Sequence, residues 1–163
     1  YVQLNDEDSI MGIAKYLEKH LTNEATYIIG PGRTTHNFLE TLGISGSLLG
    51  VDVLKGGKLI GRDVNSIQLE LLSREKPAYI ISGIIGGQGF LFGRGNQQIT
   101  SKIIRRVGKK NIIIVATAKK LYSIPHQRIL IDTGDKKLDR ELIGYIKVQT
   151  GLNLKHVIKV ETA

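Results

Sequence analysis

Apolar residues recur along this chain with two periods, and the switching between them predicts the elements. Ile10, Ile13, Ala14, Leu17 and Leu21 fall at helical spacing within Glu7–Leu21. Asp6 or Asp8 is placed to cap that helix. A short apolar strand, Thr26–Ile29, runs into Gly30-Pro31-Gly32-Arg33-Thr34-Thr35. Phe38, Leu39 and Leu42 then predict a helix, with Gly43 just past its end. Ser47–Leu54 reads as a second strand, and Gly56-Gly57 as a hairpin turn with Leu59–Gly61 returning. Asn65 is placed to cap a helix carrying Ile67, Leu71 and Leu72. Ala78–Ile84 and Asn111–Ala116 are apolar without alternation, the pattern of strands buried on both faces. Between them, Ile99–Val107 is helical and Gly108 stops it. Arg128–Asp132 is a further strand, Leu138, Leu142 and Ile143 mark a short helix, and Tyr145–Thr150 and His156–Val160 read as the last strands.

Strands alternating with helices predict an α/β fold. The expectation is a mainly parallel sheet with helices on both faces, a Rossmann-like three-layer arrangement, with a small hairpin and C-terminal β strands. Right-handed crossovers place every strand's C-terminal end on one edge. That edge collects the loops 30–35, 83–98, 117–120 and 132–135, together with Asp52 or the hairpin after it. Open α/β sheets bind ligands at this edge.

The loop Gly86–Gln98, GGQGFLFGRGNQQ, is the most distinctive of these. It has five glycines in ten residues, one cation, Arg94, and the amides Gln88, Asn96, Gln97 and Gln98. Glycine lets backbone N–H groups converge on an anion, so Gly86, Gly87, Gln88, Gly89, Arg94 and Asn96 are candidate ligand contacts. The alternative is a long surface loop that needs glycine for its turns. The 30–35 turn offers amides, the Thr34 and Thr35 hydroxyls and the Arg33 guanidinium, so Gly30, Gly32, Arg33, Thr34 and Thr35 are candidates for a phosphate. It lacks the third glycine of a dinucleotide fingerprint and the GK[ST] of a P-loop. Asp52 and Asp132 stand at predicted strand ends, where a carboxylate can hold ribose hydroxyls, hold Mg²⁺ or act as a base, or can simply cap a helix.

Size and composition narrow the classes. At 163 residues the chain is one domain, 1–163, able to bury roughly 70% of its unfolded surface. No cysteine is present, which excludes disulfides and thiolate catalysis and fits a reducing, cytoplasmic setting. No run approaches the roughly 18 apolar residues of a membrane span, so no membrane partner is expected. The formal charge of +8 favours phosphate-bearing partners. Its densest cluster, Lys102, Arg105, Arg106 and Lys109, falls on one helical face opposite Ile99, Ile103, Ile104 and Val107, and reads as a solvated face. With no clustered aromatics and no recognisable motif, nucleic acid is not the expected partner. His20, His36, His126 and His156 show no metal-ligand spacing, and neither a catalytic triad nor a metal site is evident. The expected partner is a phosphorylated small molecule or nucleotide, and a homo-oligomer is expected.

The loop residues carry a family resemblance. Tyr27-Ile28-Ile29-Gly30-Pro31-Gly32-Arg33-Thr34-Thr35, Leu48–Val53 and Gly61–Asn65 resemble the C-terminal half of the ATP-NAD kinase-like family. So do Gly86–Gln98, Ile104–Gly108, Asp132-Thr133-Gly134-Asp135 and Gly144-Tyr145-Ile146. The similarity spans roughly residues 7 to 160, and the long loop is its most specific part. It implies a domain that binds NAD, ATP with Mg²⁺ or another phosphorylated ligand, in a protein that phosphorylates NAD to NADP. The family's phosphoryl-transfer motif, Gly-Gly-Asp-Gly-Thr, belongs to an N-terminal domain and does not occur in this sequence. The chain also opens on Tyr1 rather than Met. The expectation is therefore the C-terminal part of a longer protein, inactive alone, partnered by an N-terminal domain or companion chain. Two features depart from the family. Arg33 stands where threonine is usual, and ordinary NAD kinases have an all-β C-terminal domain where the periodicity here is α/β. A second, local resemblance, through the Gly-x-Gly-x-Thr-Thr turn, Asp52 and Lys55-Gly56-Gly57, is to ribose-5-phosphate isomerase and related sugar-phosphate isomerases. It implies a sugar-phosphate-binding or isomerase-like module as the alternative.

Overall fold

The computed structural model describes residues 5–163. The first helix, α1 (Asp6–His20), is capped by Asn5, whose side chain accepts from the Asp8 N–H at 2.8 Å. Strand β1 (Thr26–Ile29) leads through the 30–32 turn into α2 (Arg33–Thr41). The hairpin β2 (Asp52–Lys55) and β3 (Lys58–Gly61) turns at Gly56-Gly57 as its sequence requires. Helix α3 (Ser66–Leu72) starts at Asn65 with a full capping box to Gln68. Then come β4 (Ala78–Ser82), β5 (Phe90–Phe92), α4 (Ser101–Val107), β6 (Ile112–Ile114), α5 (Ala118–Ser123), β7 (Arg128–Ile131), α6 (Lys136–Leu142), β8 (Gly144–Gln149) and β9 (Lys155–Thr162).

The strands form two sheets, not the single mainly parallel sheet that the periodicity predicts. The first has the order β3-β2-β1-β4-β6 and the second β5-β7-β9-β8. Both are mixed. In the first, β1, β4 and β6 are parallel while β2 and β3 run against them. In the second, β5, β7 and β9 are parallel and β8 is antiparallel. The reason is local. The 86–89 turn returns the chain tightly, with Ile85 and Phe90 exchanging both backbone hydrogen bonds at 2.8 Å. The chain that doubles back there enters β5, which pairs with β7 in the second sheet, before α4 returns it to β6 parallel to β4. On the other flank, Val115 bridges Gln149, so the two sheets are joined along both sides.

Two apolar cores result. On one face of the first sheet, Ile13, Ala14 and Leu17 of α1 and Phe38 and Leu39 of α2 pack on Tyr27, Ile29, Leu54 and Ile81. On the other face, Ile28, Val53 and Ile80 meet Leu69 of α3, Ile103 and Ile104 of α4, and the inner residues Phe92, Ile129, Ile131, Val148 and Val160 of the second sheet. Tyr27, Ile28 and Ile29 alternate between the two cores, the period of a strand covered on both faces. His20 closes α1 edge-on against Tyr79, ring centroids 4.7 Å apart, and burial lowers its pKa.

The predicted Ser47–Leu54 strand is shorter than expected. Its first half, 47–51, is a loop tied down by Asp52.

Candidate functional site

A cleft of about 270 Å³ opens where β1, β4 and β6 end. Its floor is Gly83 and Ile84 after β4 and Val115 and Ala116 after β6. One wall is the turn 31–35 with Asp6 and Ile10 of α1, and the other is Thr117 and Lys120 of α5.

The first wall is shaped by glycine. Gly32 adopts φ +127°, a conformation L side chains rarely take, and serves as the N-cap of α2. Having no side chain, it leaves the first turn of α2 without a side-chain cap. The backbone N–H groups there are available to an anion, and the helix end adds partial positive charge. The Gly32 N–H itself donates to the Leu48 carbonyl at 3.0 Å, which pins the turn to the 47–51 loop. Thr35 is buried and donates to the Gly30 carbonyl at 2.7 Å, so its hydroxyl holds the turn from inside. Thr34 is half-buried and lines the cleft.

Two cations and one carboxylate stand on the walls. Arg33 has a side chain 71% exposed and pairs with Asp6 through Nη1 and Oδ2 at 3.2 Å. Lys120 donates to the Gly86 carbonyl at 2.8 Å from the opposite wall. The lining mixes these charges with the apolar Ile10, Ile84, Val115 and Ala116. Such a surface can take a phosphate at its cations and an uncharged ring against its aliphatic floor. Neither histidine nor cysteine lines it; its polar side chains are Asp6, Arg33, Thr34, Thr35, Thr117 and Lys120.

The candidate residues from the sequence divide accordingly. Gly32, Arg33, Thr34 and Thr35 line the cleft, and Gly30 lies buried just beneath it. Gly86 approaches through Lys120, while Gly87 and Gln88 are exposed at the turn that follows β4. The rest are placed elsewhere. Asp52 is buried, accepting from the Ser47 N–H, the Ser47 hydroxyl and the Asp63 N–H at 2.7–2.9 Å. Asn96 is buried, donating to the Leu91 carbonyl at 2.9 Å and accepting from the Gly93 N–H. Gly89 packs on Ile124, and Arg94 lies 4.6 Å over the Phe90 ring. Asp132 is exposed at the end of β7, in the second sheet. The long glycine stretch is thus a tight turn, a buried strand and a second tight turn, and not an open cradle.

Residues read as loop or cap complete the site. Asp6 was legible only as a capping candidate. Lys120 sits one turn into a helix announced by Thr117, whose hydroxyl accepts from the Lys120 N–H at 3.1 Å. A threonine immediately before an apolar-bearing Ala-Lys-Lys-Leu run is the N-cap signal that marks it.

The sequence profile of the ATP-NAD kinase C-terminal domain matches residues 22–160. The chain belongs to this family. No curated protein sequence and no solved structure matches it. The matched span contains the 30–35 turn, the strand ends and Lys120, while Asp6 and the rest of α1 lie before it. No helix among the described residues is long and apolar enough to cross a membrane.

Proposed function

We propose that this chain is the ligand-binding, C-terminal part of an ATP-NAD kinase-like protein, and that the cleft beside β1 holds a phosphate of its nucleotide. The observation that carries this reading is the convergence of an uncapped helix start, Arg33 and Lys120 on one cleft, in a member of this family. Phosphoryl transfer needs mainly positioning and neutralisation of charge. The two cations and the amides of the 33–35 turn supply both for one phosphate. NAD and ATP are the ligands the family points to. Among the described residues no three His, Cys, Asp or Glu side chains gather to hold a metal, and Mg²⁺ arriving with ATP would be held mainly by the phosphates and water. The Gly-Gly-Asp-Gly-Thr motif is not in this sequence, so the phosphoryl-transfer group is supplied by an N-terminal domain or companion chain, and this domain alone binds without turnover.

Calorimetric titration with NAD and with ATP tests this. The chain is expected to bind at least one of them, and Arg33→Ala and Lys120→Ala are each expected to weaken binding by about tenfold or more. Binding unaffected by both substitutions overturns the cleft assignment. NADP formed by the chain alone overturns the claim that its chemistry lies elsewhere.

A sugar-phosphate-binding module is the second reading, favoured by the cleft's size. About 270 Å³ lies just below the roughly 300–1,000 Å³ of ordinary ligand pockets. A sugar phosphate fills such a space, whereas a dinucleotide must extend beyond it. Tighter binding of ribose 5-phosphate than of either nucleotide supports this second reading.

A further inference from the structure

A cleft built for phosphate alone has no use for a carboxylate in its wall. A negative side chain beside a bound anion is repulsive, and two cations offset it only in part. Yet Asp6 lines this cleft and pairs with Arg33 on the same wall at 3.2 Å. A carboxylate is an acceptor with about four lone-pair sites. One oxygen facing one guanidinium leaves most of them unused. The other oxygen, Oδ1, is buried and has no hydrogen-bond partner among the described residues, so Oδ2, where Arg33 now sits, is the oxygen that a ligand can reach. What such a group seeks is a donor, and the donor that accompanies a phosphate on a small ligand is a sugar hydroxyl. The aliphatic lining from Ile10, Ile84, Val115 and Ala116 suits the C–H face of a sugar ring, and the space matches one phosphorylated pentose.

We infer that Asp6 is a specificity-determining residue of the cleft, accepting hydrogen bonds from the vicinal hydroxyls of a 5-phosphorylated ribose and rejecting ligands that carry a phosphate there. This rests on the reading of the cleft as a phosphate site. Arg33 then has two partners in turn. Without ligand it pairs with Asp6. With ligand it turns to the phosphate, and the hydroxyls take its place on the carboxylate. The same carboxylate repels a second phosphate esterified to those hydroxyls, the logic by which an acidic residue beside a ribose selects unphosphorylated dinucleotides. Asp6 lies outside the 22–160 span of the family match, so this selectivity is a property of α1 and not of the matched domain.

The test compares adenosine 5′-monophosphate, its 2′-deoxy analogue, adenosine 2′,5′-bisphosphate and ribose 5-phosphate as titrants of the wild-type chain, Asp6→Asn and Lys120→Ala. Asparagine is tolerated at the first position of α1, and thermal melts confirm that the variant is folded. The wild type is expected to bind the monophosphate at least about tenfold more tightly than the bisphosphate. Asp6→Asn is expected to erase most of that ratio by strengthening the bisphosphate. The deoxy analogue is expected to be the weaker monophosphate for the wild type and to gain relative to the ribo form in Asp6→Asn. Ribose 5-phosphate binding as tightly as the nucleotide identifies a sugar phosphate as the source; tighter binding of the nucleotide identifies a nucleotide. Either result carries the ribose-phosphate class. Binding that Lys120→Ala weakens, with a bisphosphate ratio that Asp6→Asn leaves unchanged, overturns the role of Asp6 and leaves the phosphate cleft standing. Failure of all four compounds to bind the wild type overturns both.

Discussion

Asp52 uses both carboxylate oxygens on the protein itself. Oδ2 accepts from the Ser47 N–H, and Oδ1 accepts from the Ser47 hydroxyl and the Asp63 N–H. These bonds fold the 47–51 loop against β2, and that loop supplies the Leu48 carbonyl to the Gly32 N–H. Asp52 therefore supports the cleft from a distance without facing it. Replacing it by alanine strands three part-buried donors and removes a fully buried side chain. Asp52→Ala is expected to cost about 3 kcal/mol in urea-induced unfolding. Serine hydroxyls and backbone amides that pair with a carboxylate leave no trace in spacing, so this role was not legible in the sequence. Only the position at a strand end was.

At the scale of elements, the glycine stretch is the informative case. Its glycines do different jobs. Gly93 has φ +100°, and a Cβ placed there collides with the Asp132 backbone, which is where β5 and β7 run side by side. Gly86 has φ +74° but faces open space. Alanine at Gly93 is expected to cost more than about 4 kcal/mol or to prevent folding, whereas alanine at Gly86 is expected to cost about 1–2 kcal/mol. Thermal denaturation of the two variants side by side checks this. Equal, small losses would mean that β5 does not pair with β7 at this register. The sequence shows the glycines and the Phe90-Leu91-Phe92 run together. It does not show that the three apolar residues are a strand, because three residues carry no measurable period. What decides it is the second sheet, which offers Leu130 and Ile131 as partners.

Across the whole molecule, the basic face of α4 is consumed by partners that the sequence places far away. Lys102 pairs with Glu70 at 2.8 Å, and Arg106 donates to the Glu70 carbonyl and the Ser73 hydroxyl. Arg105 reaches both Asp135 and Glu141, tying α4 to α6. The cluster, which the sequence predicts to be a solvated face, is thus a seam between elements. The Leu138 N–H, and after it the Arg105 guanidinium, hold the Asp135 carboxyl below its ordinary pKa. A carboxylate with a lowered folded pKa adds stability above its unfolded pKa, and that stability is lost as pH falls through the lowered value. The loss therefore lies below about pH 4. Urea midpoints are expected to fall between pH 5 and pH 2.5 more steeply for the wild type than for Asp135→Asn. Identical slopes in the two proteins would show that this pairing does not form in solution.

The sequence by itself determined the local elements, because helix caps, turn glycines and apolar period act over a few residues. Asn65 and its capping box, the Gly56-Gly57 hairpin, the Gly43 stop after α2 and the doubly buried β4 were all legible for that reason. It also carried the family, through residue order in the loops, and the glycine turn before α2 that shapes one wall of the cleft. The tertiary structure alone decided that the strands divide into two mixed sheets. That outcome depends on which distant strand edge each short strand meets, and pairing energy between strands is not written in either one. It alone decided which polar residues face the cleft. Asp6, Arg33 and Lys120 come from three helices far apart in the chain, and they meet because β1, β4 and β6 end side by side.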